Sequence, residues 1–138
     1  MKLLKLATVF GLVIFSMGSL ADIAVIAHPS NTNQLDQTAI SKIFLGKVKS
    51  YPDGGTIIAI NQLEGSPVRA AFDESVLGKS SSQMKSYWSK LMFTGKGTPP
   101  QEVQSDAEVK QLVAANPSII GYVDASLVDD SVKVLLKF

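Results

Sequence analysis

Apolar residues along this chain fall into short blocks whose spacing alternates between strand and helix character. "DIAVIAH" (22–28) is a β-branched apolar run, expected as a buried strand and ended by Pro29 and the polar "SNTNQ". "LDQTAISKIFLG" then takes helical spacing. Asp36 is the cap, Ile40, Ile43 and Phe44 form one stripe, and Gly46 closes the helix. A loop with lysines and a Pro-Asp-Gly turn, "KVKSYPDGG", leads to a second buried strand, "TIIAINQ" (56–62).

The next helix is expected from Pro67 to Leu77, with Val68, Phe72, Val76 and Leu77 at helical spacing and Gly78 as its stop. "SSSQMKSYWSKLMF" predicts another helix with Met84, Trp88, Leu91 and Met92 inward. "TGKGTPPQEVQ" reads as a loop. "SDAEVKQLVAANP" is a helix opened by a Ser105–Glu108 capping box and stopped by Pro117. "SIIGYVD" (118–124) and "SVKVLLKF" (131–138) are strands. The order β-α-β-α-α-α-β-β predicts one α/β domain, a mixed sheet with flanking helices.

Composition adds a compartment. "MKLLKLATVFGLVIFSMGSLA" has Lys2 and Lys5, an apolar run from Leu6 to Met17, and a small-x-small site at Ser19-Leu20-Ala21. It reads as a signal peptide over 1–21, leaving 22–138 as a periplasmic domain. A single membrane anchor is the rival reading, but the run is short for a span and no charged stop follows. Of 13 basic side chains, 11 lie beyond the leader, against 12 acidic ones, a net charge near −1. That balance gives no general nucleic-acid or membrane binder. The chain has no cysteine, which excludes disulfides and thiolate chemistry and leaves the fold to its apolar core.

Few residues carry reaction chemistry. His28 is the single histidine and sits at a strand end. "TGKGTPP" lacks the first glycine of a phosphate loop, so Gly95, Lys96 and Gly97 are expected as an ordinary turn. Asp129 and Asp130 read as solvated loop charge and Trp88 as core. No nucleophile–base pair or metal cluster is visible, so no enzyme and no cofactor is expected.

"EGSPVRAAF" (64–72) is different. Ser66 can cap and Pro67 suits the first helical position, but Arg69 stands where a capping box places Glu or Gln. A cation there opposes the helix dipole at about 0.3–1 kcal/mol, which a bound anion would reverse. The segment follows a strand, where helix-start amides and an arginine fork together suit an oxyanion. Equally open is a salt bridge from Arg69 to Glu64 or Asp73, about 0.3–0.5 kcal/mol.

"AISKIFLGKVKSYPDGGTIIAINQLEGSPVRAAF" and, later, "PSIIGYV" together resemble the phosphate-binding proteins of bacterial ABC transporters. That family often shows an IF-x-G-K helix end, a W-x-D-G turn, a G-S-G-T-R-x-x-F segment and G-A-I-G-Y-V. The matching pieces here are Ile43–Lys47, Tyr51–Gly54, Gly65–Phe72 and Ser118–Val123. The resemblance implies a type II periplasmic-binding-protein-like fold and a phosphate site at Gly65, Ser66 and Arg69, with Val68 and Arg69 amides as donors. Pro67 replaces a glycine and removes one N–H, and Val68 replaces the threonine hydroxyl. The motifs match the second of the family's two lobes, so a single-lobe member is implied. A half-site leaves the anion open to water, giving about millimolar binding, about −4 kcal/mol. A second copy, or an envelope transporter or sensor partner, would complete the cleft. The alternative expectation is an interaction module that has lost the ligand and docks a partner through the former cleft face.

Overall fold

The structure is a computed structural model that describes residues 22–138. The expected leader, 1–21, lies outside the described residues. Five strands form one mixed sheet: β1 (Ile23–Ala27), β2 (Ile58–Gln62), β3 (Gln101–Val103), β4 (Ile119–Asp124) and β5 (Lys133–Lys137), in the order β3-β2-β4-β1-β5. β2 runs parallel to β3 and β4, and β1 antiparallel to β4 and β5. The helices are α1 (Gln37–Phe44), α2 (Pro67–Phe72), α3 (Ser81–Phe93) and α4 (Asp106–Ala115).

β1 is buried along its whole length because helices cover both faces of the sheet. Ile23 and Val25 face the side of α1 and α2, with Phe44, Phe72 and Tyr122. Ala24 and Ile26 face the side of α4, with Val109 and Val113. Phe72 stacks on Tyr122 at 3.8 Å between ring centroids, and Phe44 meets Phe72 edge-on at 4.7 Å. This aromatic trio clamps α1 and α2 to the centre of the sheet.

Gly121 shows why β4 holds a glycine at its middle. A Cβ there would stand 2.7 Å from Val109 Cγ1 and 3.1 Å from Ile60 Cγ1, so only a bare backbone lets α4 approach the sheet.

The helix ends follow their sequence signals. Asp36, Ser66, Ser80 and Ser105 each cap with a side-chain oxygen. After α1 and after α3 the chain makes the same stop. Gly46 N–H bonds Ile43 O and Lys47 N–H bonds Lys42 O, while Gly95 N–H bonds Met92 O and Lys96 N–H bonds Leu91 O. Both are Schellman caps with glycine in the left-handed region, φ +74° and +68°. The loop that resembles a phosphate cradle is thus a helix terminus, the ordinary turn that was expected.

Four expectations change. The Pro67–Leu77 helix is α-helical only to Phe72, and Asp73–Leu77 is one π-helical turn, with Gly78 N–H returning to Asp73 O. β3 lies inside the expected 94–104 loop, an edge strand that gains its order from pairing with β2. Glu108 does not close its box on Ser105. It accepts from Gln104 N–H, and the reciprocal capping box lies at Ser80–Gln83. Met92 points outward and is 50% exposed, although Met84 and Trp88 are buried as expected.

Candidate functional site: the start of α2

β2 ends at Gln62, which ties together the elements at the sheet's carboxyl edge. Its side-chain amide donates to Asp106 at the start of α4 and to Tyr122 O at 3.1 Å, and its oxygen accepts from Ser66 Oγ at 3.1 Å. Gln62 N–H is met by Asn61 Oδ1 at 3.0 Å and by Tyr122 Oη at 3.3 Å, while Tyr122 Oη donates to Asn61 Oδ1. Burial raises the Tyr122 phenol well above its ordinary range, so it stays a neutral donor. This buried network brings the first turns of α2 and α4 to the carboxyl ends of β2 and β3, where open α/β sheets bind ligands.

Gly65 has φ +88°, turning the chain from β2 into the Ser66 cap. Ser66 Oγ accepts from Arg69 N–H at 3.4 Å. The Arg69 amide, a candidate ligand donor, therefore serves the cap. Pro67 has no N–H, and Ala70 N–H bonds Ser66 O, which leaves the Val68 amide as the first-turn donor outside the cap. The Val68 side chain itself packs on the aromatic core.

Arg69 is 14% exposed and held on three sides. Nη1 donates to Gln62 O at 3.1 Å and to Glu102 Oε1 at 2.6 Å, and Nε lies 4.0 Å from Asp73 Oδ2. The expected Asp73 pairing is present in this weak form. The Glu64 pairing is not: Glu64 approaches Lys85 at 3.7 Å, an exposed pair worth little. Glu102, on the unforeseen strand β3, is the stronger partner. No sequence signal close to Arg69 pointed to it.

Asp73 is 1% exposed, and neither of its carboxylate oxygens has a hydrogen bond. Burial pushes its pKa up to about 6 from 3.8, with the Arg69 charge pulling the other way. Arg69, Asp73, Glu102, Glu64, Lys85 and Gly65 all line a cavity of about 120 Å³. Three carboxylates and two cations face it, so its field is mixed in sign rather than simply positive.

The set-aside residues also have places. His28 Nδ1 accepts from Ser30 N–H at 3.1 Å in the strand-end turn. Trp88 is core, with its benzo edge against Gly46 and Gly97. Asp129 is more than solvated charge: it holds Lys110 at 2.6 Å and caps the Ser131 turn, which lowers its pKa.

No family model matches the chain. Solved structures do. An ABC-type phosphate transport receptor from Vibrio cholerae is 22% identical, with a TM-score of 0.65, over 84% of this chain and 46% of that one. A protein from Clostridium perfringens, assigned as a phosphate ABC transporter substrate-binding protein and carrying bound phosphate, is 28% identical with a TM-score of 0.65, over 84% of this chain and 45% of that one. PstS from Borrelia burgdorferi is 17% identical, with a TM-score of 0.61, over 83% and 47%. The chain therefore spans just under half the length of each of these structures, and its five-stranded mixed sheet with flanking helices is similar to the fold of phosphate-binding components of ABC transporters.

Proposed function

We propose that this chain is an exported phosphate- or oxyanion-binding protein of the periplasm, a non-enzymatic accessory to phosphate transport or sensing. In this reading residues 22–138 form one lobe behind a cleaved leader. The observation that carries it is the position of Arg69: a nearly buried guanidinium at the start of α2, beside the carboxyl ends of β2 and β3, lining a small cavity. Likeness to proteins named for phosphate supports the choice of anion.

An anion at this site would use the Val68 amide and the Arg69 fork, with Ser66 and Gly65 fixing the turn that presents them. Glu102 already occupies one edge of the fork, so an incoming anion must displace a carboxylate. One open face and one internal competitor together give weak binding, about millimolar. A second copy, or a transporter or sensor subunit, would cover the open face.

Thermal unfolding at constant ionic strength tests this. At about ten times a millimolar Kd, binding stabilises by about 1.4 kcal/mol, a rise of about 5 °C in Tm. Arg69→Ala removes the rise while its own melt stays cooperative. A Tm that ignores phosphate, or a rise of equal size in Arg69→Ala, overturns the anion reading and leaves the cleft face as a docking surface.

A further inference from the structure

The last turn of α3 leaves two large apolar side chains in solvent. Met92 is 50% exposed and Phe93 94%, the latter standing clear of the surface at the helix tip. Beside them, Leu91 and Met92 line an open groove of about 390 Å³. The charged side chains lining that groove are Lys49 and Lys96. Lys90, one turn before Phe93 on the helix, adds a third cation. Among the described residues, none of these three lysines has a carboxylate within 4 Å, and no acidic side chain lines the groove.

Among the described residues Arg69, Lys85 and Lys110 meet carboxylates, whereas Lys42, Lys47, Lys79, Lys133 and Lys137, like the three lysines here, have none within 4 Å, and the net charge of 22–138 is near −1. What distinguishes the α3 tip is that Lys90 and Lys96 lie three residues either side of Phe93, the most exposed large apolar side chain among the described residues. We propose that the α3 tip is a peripheral membrane-docking site, with Phe93 and Met92 entering the headgroup region of an anionic phospholipid surface and Lys49, Lys90 and Lys96 meeting its phosphates.

Two features select a bilayer over a protein partner. An almost fully exposed ring can enter a headgroup layer at any position, with no matching pocket needed to receive it. Lysine ammonium groups on flexible stems match a diffuse layer of negative charge, and each contributes attraction that salt screens. Among the described residues no helix is long and apolar enough to cross a membrane. The groove shares Trp88 with the cavity at Arg69 but none of its charged side chains, and the proposal does not depend on the anion reading.

The test is co-sedimentation of the purified chain with vesicles of phosphatidylglycerol and phosphatidylcholine, compared with phosphatidylcholine alone. All variants carry the same N-terminal residues, so differences between them belong to the patch. Binding is expected on the anionic vesicles and lost in high salt. Lys90→Glu combined with Lys96→Glu lowers partitioning at least about 25-fold, from about fivefold per neutralised charge. Phe93→Ala lowers it about tenfold, with unchanged melting as the folding control. No sedimentation with anionic vesicles overturns the proposal, as does partitioning unmoved by these variants. Binding to a soluble amphipathic Glu/Leu-rich peptide without binding to vesicles also overturns it, and assigns the patch to protein recognition.

Discussion

Replacing Asp73 with asparagine removes a charge that the fold buries at a cost. The carboxyl group is 1% exposed, accepts no hydrogen bond, and has its nearest cation 4.0 Å away at Arg69 Nε. Its folded pKa, about 6, lies above the 3.8 of the free side chain. Between those values the native state binds the proton more tightly than the unfolded chain. Stability from this group is therefore fully present below pH 4 and is lost as pH rises through 6. A shift of about two pKa units corresponds to about 3 kcal/mol at neutral pH. Asp73→Asn keeps the volume and abolishes the titration, so it should stabilise the protein at pH 7.5 by about 1–3 kcal/mol, the lower end allowing for an amide with no partner. Urea unfolding of both proteins from pH 4 to 8 reads this out as a difference curve. Other carboxylates, such as Asp129, whose pKa is lowered, titrate with the opposite sign and cancel in the difference. A difference that is flat across pH 4 to 7, or a variant less stable than the parent at pH 7.5, refutes the reading of Asp73 as a strained, desolvated charge.

Two further outcomes follow from named contacts. Glu102→Gln removes the carboxylate on the Arg69 fork, an interaction half open to solvent and worth about 0.5–1 kcal/mol, so phosphate affinity should tighten about two- to fivefold; equal affinity would show that Glu102 does not compete. Gly121→Ala forces a methyl group to 2.7 Å from Val109 Cγ1, and a loss of about 1–3 kcal/mol should appear as a Tm lower by about 5 °C or more.

Caps and stops made most elements legible from the sequence. Asp36 and Gly46 bracket α1, and Ser105 opens α4, because each signal satisfies backbone groups locally. The missed features are ones that local signals do not encode. "QEV" is too short for alternation, and it becomes β3 only because Ile60, Asn61 and Gln62 offer it a ladder. The π turn at Asp73–Leu77 keeps the apolar residues close to helical spacing, so the sequence pattern there is still that of an α-helix. Met92 has the right spacing for the buried face, but the last turn of α3 borders an open groove rather than the core. At the site, Ser66 and Arg69 were visible as a cap with a misplaced cation. Glu102 was not, since it lies 33 residues away on the strand that the sequence hid. Its carboxylate offsets the Arg69 charge from outside the helix, so the cation need not rely on a bound anion.

The central claim, an oxyanion site at the start of α2, is tested most directly by titrating phosphate into the isotopically labelled protein while recording backbone amide resonances. The account predicts shifts centred on residues 65–70, with Val68 prominent, half-saturated at about 1 mM phosphate and absent in Arg69→Ala. Unmoved amides across 65–70 at about twentyfold that concentration, or shifts that persist in Arg69→Ala, would contradict it.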